Sequence, residues 1–552
     1  MKNQSDLQST LTSGLEPYMG TWGLQEASHL LRRTTFGVNR TDLDMLLTKT
    51  MSEAVDLILT NPSPVSPPTP IYYDNLVVQE IGAPWDPKKW TLDNDTPHLN
   101  YLRIWWLEQM IAQRISIIEK MVLFWNNHFA TGAFSVLQAF YMFKQHTLIR
   151  NHVLGNFKQL TKEITIDPAM LVFLNGNKNT KTGPNENYAR ELQELFTIGK
   201  GVEVAPGDYS TYTEDDVLAA ARVLTGWVDD GTDLSNITVT FRNDDHDVAD
   251  KQFSIRYQNT IIKGRSGKAG ALQELDDLLD MIFNQVETAK YLCRKLYRWF
   301  VNGDITSEID TNVITPLADI LISNNYEVKP VLSALFKSEH FYDVAIRGAL
   351  IKNPVDFMIG TIRSFKVNSV FTFTQEQAPF PPLNPSDRLA ALRPIYGDLA
   401  AQQYDLLDPP SVAGLPAYYQ APQYDQLWIN ADTIQKRVRF VEDLSVSHFR
   451  FDEDYGYALI DVFEYLGRVS DPSDARVIVN EWMDWIFATP LSAAQKDAAL
   501  NNFLGSITEQ EWKKRWTDYA SDSQNVLFRL NIEVKLQPFF RFLLGISRYQ
   551  LM

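Results

Sequence analysis

A mainly α fold, one large multi-helical globular domain with a small β-hairpin insertion, is what this 552-residue sequence predicts. Three observations carry that reading. Capping side chains followed by proline or acid stand repeatedly ahead of apolar stripes, the pattern of helix N-termini. Strand-like alternation is confined to one stretch, residues 237–257. The hydrophobic fraction of 45% and aromatic fraction of 12% suffice to fill a large core, where a disordered chain is poor in both.

Taken in order, residues 1–20 read as a flexible tail and 21–552 as one helical domain. The first residues, Met1 to Asp6, carry no apolar stretch of signal-peptide type, so a cytoplasmic compartment is the default expectation for the chain as written. Prolines between Pro62 and Pro70 suggest an extended connector over about 61–70, and Pro379 to Pro385 a second over 378–385. Long helices are expected at 101–125, 134–153, 287–301 and 473–487. Asp167-Pro168, Thr315-Pro316 and Asn353-Pro354 each place a capping side chain before a proline at the first helical position. The first of these helices stops at Asn175-Gly176. Thr213 opens another, with Glu214, Asp215 and Asp216 suiting the dipole and Val217, Leu218, Ala221 and Leu224 on one stripe. Ile237, Val239 and Phe241 alternate, as do Phe253, Ile255 and Tyr257, which predicts two strands joined by the polar link Asn243 to Asp250.

Charge narrows the function classes. With 51 basic against 68 acidic residues the net charge is −17, and such a surface repels phosphate backbones and anionic headgroups. No nucleic-acid partner is expected. The longest apolar runs, Met121 to Trp125 and Phe539 to Ile546, are too short for an integral membrane segment. The single cysteine, Cys293, lies in an apolar-aromatic stretch and reads as a buried core residue rather than a nucleophile.

Several segments together are similar to one bacterial family: Ala27 to Gly37, Met121 to Thr131, Pro184 to Gly199, Tyr212 to Val217, Ala220 to Trp227, His246-Asp247, Pro409 to Gly414 and Trp428 to Asn430. The family is domain of unknown function 1800 (DUF1800), and the resemblance spans nearly the whole chain. It implies bacterial origin, a helical fold, frequent export, and genes often neighbouring that of a sulfatase-like protein, a possible partner. It lends no established activity. The sequence departs from the family at Trp125-Asn126-Asn127-His128, where an aromatic-His-Asn-His order is common, which weakens a two-histidine metal reading. It departs again at Leu415, where tryptophan is common.

Candidate chemistry concentrates in three places. In a helix over 185–199, Asn187, Glu191 and Glu194 fall at i, i+4 and i+7 and share a face, with Tyr188, Leu192, Leu195 and Phe196 anchoring the other. Two carboxylates so placed can act as an acid/base pair or bind a divalent cation through oxygen. Arg190, four residues from both Glu186 and Glu194, can act at the site, or can neutralise either acid in a structural network. His128 is a candidate base or ligand, and Asn126 and Asn127 beside it could orient a substrate hydroxyl. The loop Asp244 to Asp247 offers His246 and Asp247 as metal ligands, although their spacing fits neither a calcium-loop nor a zinc template. Trp227, with Trp125, Tyr188 and Trp428, could contact a carbohydrate or peptide. Two functions remain open: a metal-assisted or acid/base hydrolase of a glycan or ester substrate, or a non-catalytic binding or assembly scaffold of the cell envelope.

Overall fold

In a computed structural model of the protein, the structure describes residues 13–61, 65, 68, 95–229, 239–365, 385–447, 449–452, 456–458 and 460–552. Among these residues helices dominate, with four two-stranded antiparallel ribbons beside them. One contiguous apolar cluster runs from Ala27 to Tyr549 and takes residues from helices along the whole chain. No helix among the described residues is long and apolar enough to cross a membrane. Both proline-rich stretches lie almost entirely outside the described residues.

Buried polar ties hold several of these helices together. The helix Leu24–Thr34 is buried along most of its length, so its charged and polar groups must find partners inside. His29 Nε2 bonds the Phe341 carbonyl at 2.9 Å, Arg33 donates to the Ile346 carbonyl at 2.6 Å, and Arg32 donates to that of Trp485. In the helix Ile118–His128, consecutive residues reach opposite ways. Glu119 takes a two-pronged bond from Arg150 (2.6 and 2.7 Å), and Lys120 pairs with Asp356. A two-pronged guanidinium–carboxylate contact fixes orientation as well as distance. The helix is thereby tied to Ala139–Asn151 on one side and Pro354–Ser364 on the other.

Helix starts follow the expected chemistry in most places. Asp167 caps Pro168–Phe173, Asn353 caps Pro354–Ser364, and Thr213 forms a reciprocal cap with Asp216 at the start of Glu214–Val223. Thr315 does not cap. Its helix begins earlier, at Ser307 with Thr306 as cap, and passes through a wider π turn at Asp310–Ile314. Thr315 Oγ1 instead donates to the Asp310 carbonyl at 2.8 Å. On Glu214–Val223 the stripe is Val217, Ala221 and the adjoining Leu224, while Leu218 is 42% exposed.

Two long helices are each divided. The 101–125 stretch forms Asp95–Ala112 and Ile118–His128, because Arg363 takes the Ile111 and Gln113 carbonyls (3.0 and 2.5 Å) that would otherwise continue the first helix. The 134–153 stretch breaks at Leu137, whose φ of 58° is left-handed. The 287–301 and 473–487 helices appear as Val286–Phe300 and Ala475–Ile486.

The hairpin pairs differently from expectation. Val239–Phe241 pairs with Trp227–Asp229, and Lys251–Gln252 with Ile261–Ile262. Asp216 explains the change: its carboxylate accepts from the Ser254 N–H and hydroxyl, both at 2.7 Å, and turns the chain into the short helix Ile255–Tyr257. Residues 13–18, expected within a tail, are fastened instead. Pro17 bridges Ser338, the Tyr18 N–H donates to the Lys337 carbonyl at 2.9 Å, and the Ser13 carbonyl contacts His340.

Candidate functional site

The segment Pro184 to Gly199 is a short α-helix, Glu186–Glu191, that widens into a π turn at Leu192–Phe196. Asn185 starts it by accepting from the Asn187 N–H, and Tyr188, Leu192 and Phe196 anchor it in the core. Two internal bonds hold the wide turn: the Gly199 N–H reaches the Gln193 carbonyl (2.9 Å), and Thr197 Oγ1 reaches that of Leu192 (2.5 Å). Such wide turns recur at functional sites because they re-aim side chains off a regular helix.

Glu191 and Glu194 sit in contrasting environments on this turn. Glu194 accepts from the Tyr212 hydroxyl at 2.9 Å and pairs with Lys200 at 3.3 Å. Glu191 is partly buried, with no hydrogen bond or ion pair among the described residues. Burial first, and then the neighbouring charge of Glu194, lift its carboxyl to about 7, against the opposing pull of Arg190 and Lys200. Arg190 does not bridge the two acids. It makes a two-pronged contact with Glu214 (2.7 and 2.6 Å) and a third bond to Glu186 (3.1 Å), and it holds Glu214 below the usual carboxylate range. Asn187 lies exposed in the first turn.

His128 lies behind this turn, buried, and reaches it through the backbone and Lys295. Its Nε2 bonds the Phe196 carbonyl at 3.0 Å, and Lys295 Nζ bonds its Nδ1 at 3.1 Å and the Leu195 carbonyl at 3.0 Å. Burial and the Lys295 charge push the imidazole well below its ordinary value, so it is neutral, with its proton on Nε2 toward the carbonyl. Burial and the charge of Arg298 bring the Lys295 ammonium down to about 7. Tyr291 closes the same edge by donating to the Leu195 carbonyl at 3.1 Å.

The other candidates stand elsewhere. Asn127 accepts from the Leu415 N–H at 2.8 Å and so fixes the Pro409 to Gly414 segment, while Asn126 is buried beside it. Trp227 packs with Leu171 and Phe241 in a small separate cluster. His246 bonds the Thr225 carbonyl (2.9 Å) and Glu274 (3.3 Å), and Glu274 also takes Lys251. Asp247 turns to Arg222 at 2.7 Å. Among the described residues, no group of three or more His, Cys, Asp or Glu is placed to hold a metal ion.

Tyr212, Lys200 and Lys295 are not among the candidate site residues that the sequence offers. Tyr212 does carry a signal, since it directly precedes the Thr213 cap and opens the segment Tyr212 to Val217. Lys295 has none: its meaning comes from a contact with His128 across 167 residues.

Fold and site together define a mainly helical protein with a carboxylate pair on a π-widened turn, backed by a buried histidine–lysine contact. The chain belongs to the family described as Protein of unknown function (DUF1800), whose model matches residues 29–550. No curated protein and no solved structure matches it.

Proposed function

We propose that the Glu191–Glu194 turn is an acid/base site that hydrolyses a polar substrate of glycan or ester type, with Glu191 as the proton carrier. One observation supports this above the rest. Glu191 is a carboxyl without a partner among the described residues, poised near neutrality, beside a second carboxylate held by Tyr212 and Lys200. A pair of acids whose surroundings differ in this way divides into a proton donor and a fixed negative charge. Glu194 would stabilise positive charge as it develops, and Lys200, 46% exposed, would meet the substrate from the solvent side. His128 and Lys295 would position the turn from behind through the Phe196 and Leu195 carbonyls. Arg190, committed to Glu214 and Glu186, would brace the helix.

The test is turnover of chromogenic glycosides and esters by the wild-type chain and by Glu191→Gln and Glu194→Gln. We expect a rate profile with a limb near pH 7 and a loss of about 100-fold or more in Glu191→Gln, the usual scale for removing a general acid or base. No turnover of any substrate, or a Glu191→Gln variant as fast as wild type, would overturn the hydrolase reading. The same side chains would then serve as the rigid polar core of a binding or assembly scaffold.

A further inference from the structure

An open cleft of about 1110 Å³ takes its walls from the segment 13–18, the first turn of Leu24–Thr34, the π turn Asp310–Ile314 and the short helix Glu339–Tyr342. Its lining holds the acids Glu16, Glu26, Glu339 and Asp343 against one base, Arg347. Arg347 pairs with Glu26 at 2.7 Å, and the other three acids form no ion pair among the described residues. The backbone sets Glu16 and Glu339 against each other. Pro17 bridges Ser338 in the antiparallel sense and the Glu339 N–H donates to the Glu16 carbonyl at 2.7 Å, so the two acids stand directly opposite. Like charges so placed share a face and repel. Asp343 stands further along the wall, where Ser13 Oγ donates to it at 3.4 Å.

A second observation points to a ligand. Tyr342 lines the same cleft, is 2% exposed, and its hydroxyl has no hydrogen-bond partner among the described residues. Beyond burial itself, the groups that act on this hydroxyl are Tyr18 and Glu26, both on the cleft wall, so it faces that side and not the core. A buried hydroxyl left unpaired is costly, and an N–H donor from a ligand would satisfy its oxygen. The rings of Tyr18 and Tyr342, with centres 4.6 Å apart, offer aromatic surface to an aliphatic stem and its cation. Among the described residues no three acids are placed to share a metal ion, and the space is on the scale of an organic ligand. The positive charge that suits it is therefore spread along a chain. We propose that this cleft binds a linear oligoamine, an aliphatic chain with two or more ammonium groups, one held by Glu16 and Glu339 and another by Asp343 and the Tyr342 oxygen. The site is separate from the acidic turn and from any reaction there.

The test is calorimetric titration of the full chain with spermidine, and separately with magnesium chloride, at an ionic strength fixed by sodium chloride. Saturable one-to-one binding of spermidine is expected, with none of magnesium over the same concentrations. The double variant Glu16→Gln/Glu339→Gln should weaken spermidine binding about fivefold or more, the scale of two exposed ion pairs. Asp215→Asn/Asp522→Asn removes the same charge from exposed positions elsewhere and should bind as wild type does, which separates the cleft from the general pull of a chain of net charge −17. Tyr342→Phe should weaken binding about threefold or more, the scale of one hydrogen bond. It should melt no lower than wild type, because the lost hydroxyl has no partner among the described residues. Absence of saturable heat with spermidine would overturn the proposal, as would equal weakening in the two double variants, unaltered binding by Glu16→Gln/Glu339→Gln, or magnesium saturating at the same concentration.

Discussion

Glu191 gives the site its most accessible measurement. A carboxyl lifted to about 7 still holds its proton in the folded chain at pH values where the unfolded chain, titrating near 4.5, has released it. The folded state binds more protons across that window. The stability gained from the protonated form is therefore complete below about 4.5 and lost as pH rises through about 7. Partial exposure screens the effect, so about 1 kcal/mol is a realistic size. Glu191→Gln cannot ionise and escapes the loss. It should match wild type in urea unfolding near pH 4 and exceed it by about 1 kcal/mol near pH 8.5; identical curves at both values would assign the titration to another group. The i, i+4, i+7 spacing of Asn187, Glu191 and Glu194 was readable in the sequence, but the inequality of the two acids was not. It depends on Tyr212 and Lys200 choosing Glu194, and on Arg190 turning to Glu214, 24 residues further along the chain.

At the scale of elements, local signals located most helices and misplaced some ends. Asn353-Pro354 and Thr213 announced their helices because a cap is chemistry within three residues. The break after Ala112 was silent, since Arg363 ends that helix from about 250 residues away. The strands repaired for a similar reason, with Asp216 catching Ser254 from outside the supposed hairpin. The contact between the Ile118–His128 helix and the Pro409 to Gly414 loop shows how two separated motifs become one feature. Gly414 has φ +85°, and a Cβ there would stand 2.5 Å from Asn127 Oδ1 and 2.6 Å from the Asn127 carbonyl. Only glycine accepts both the backbone angle and the approach. Gly414→Ala should cost about 1–3 kcal/mol, the scale of overpacking, and release the Leu415 N–H from Asn127. Hydrogen exchange at Leu415 would report it; protection unchanged from wild type would mean that the loop is held by something other than Asn127.

For the molecule as a whole, the contacts that matter most join the start, middle and end of the chain. Lys352 N–H donates to the Gln550 carbonyl at 2.7 Å, Met552 N–H to that of Leu350 at 2.9 Å, and Arg32 on the first long buried helix reaches Trp485. No periodicity in a sequence registers links across hundreds of residues, which is why composition and caps pointed to the fold class and left these long-range ties unseen. Closure of this kind makes the last residues part of the core. Tyr549 is 4% exposed, shares a hydrogen bond with Thr361 at 2.7 Å, and supports Lys352 with its ring face. Tyr549→Ala should therefore open a core cavity and cost about 3–5 kcal/mol, as truncation of a buried aromatic does. It should also lower the melting temperature of the entire protein in a single transition. Calorimetric scanning with limited proteolysis separates the possibilities. If the variant loses only its last few residues to protease while the remainder melts at the wild-type temperature, the chain end is an appendage, and the closure of the fold must rest on the Leu24–Thr34 and Pro354–Ser364 helices alone.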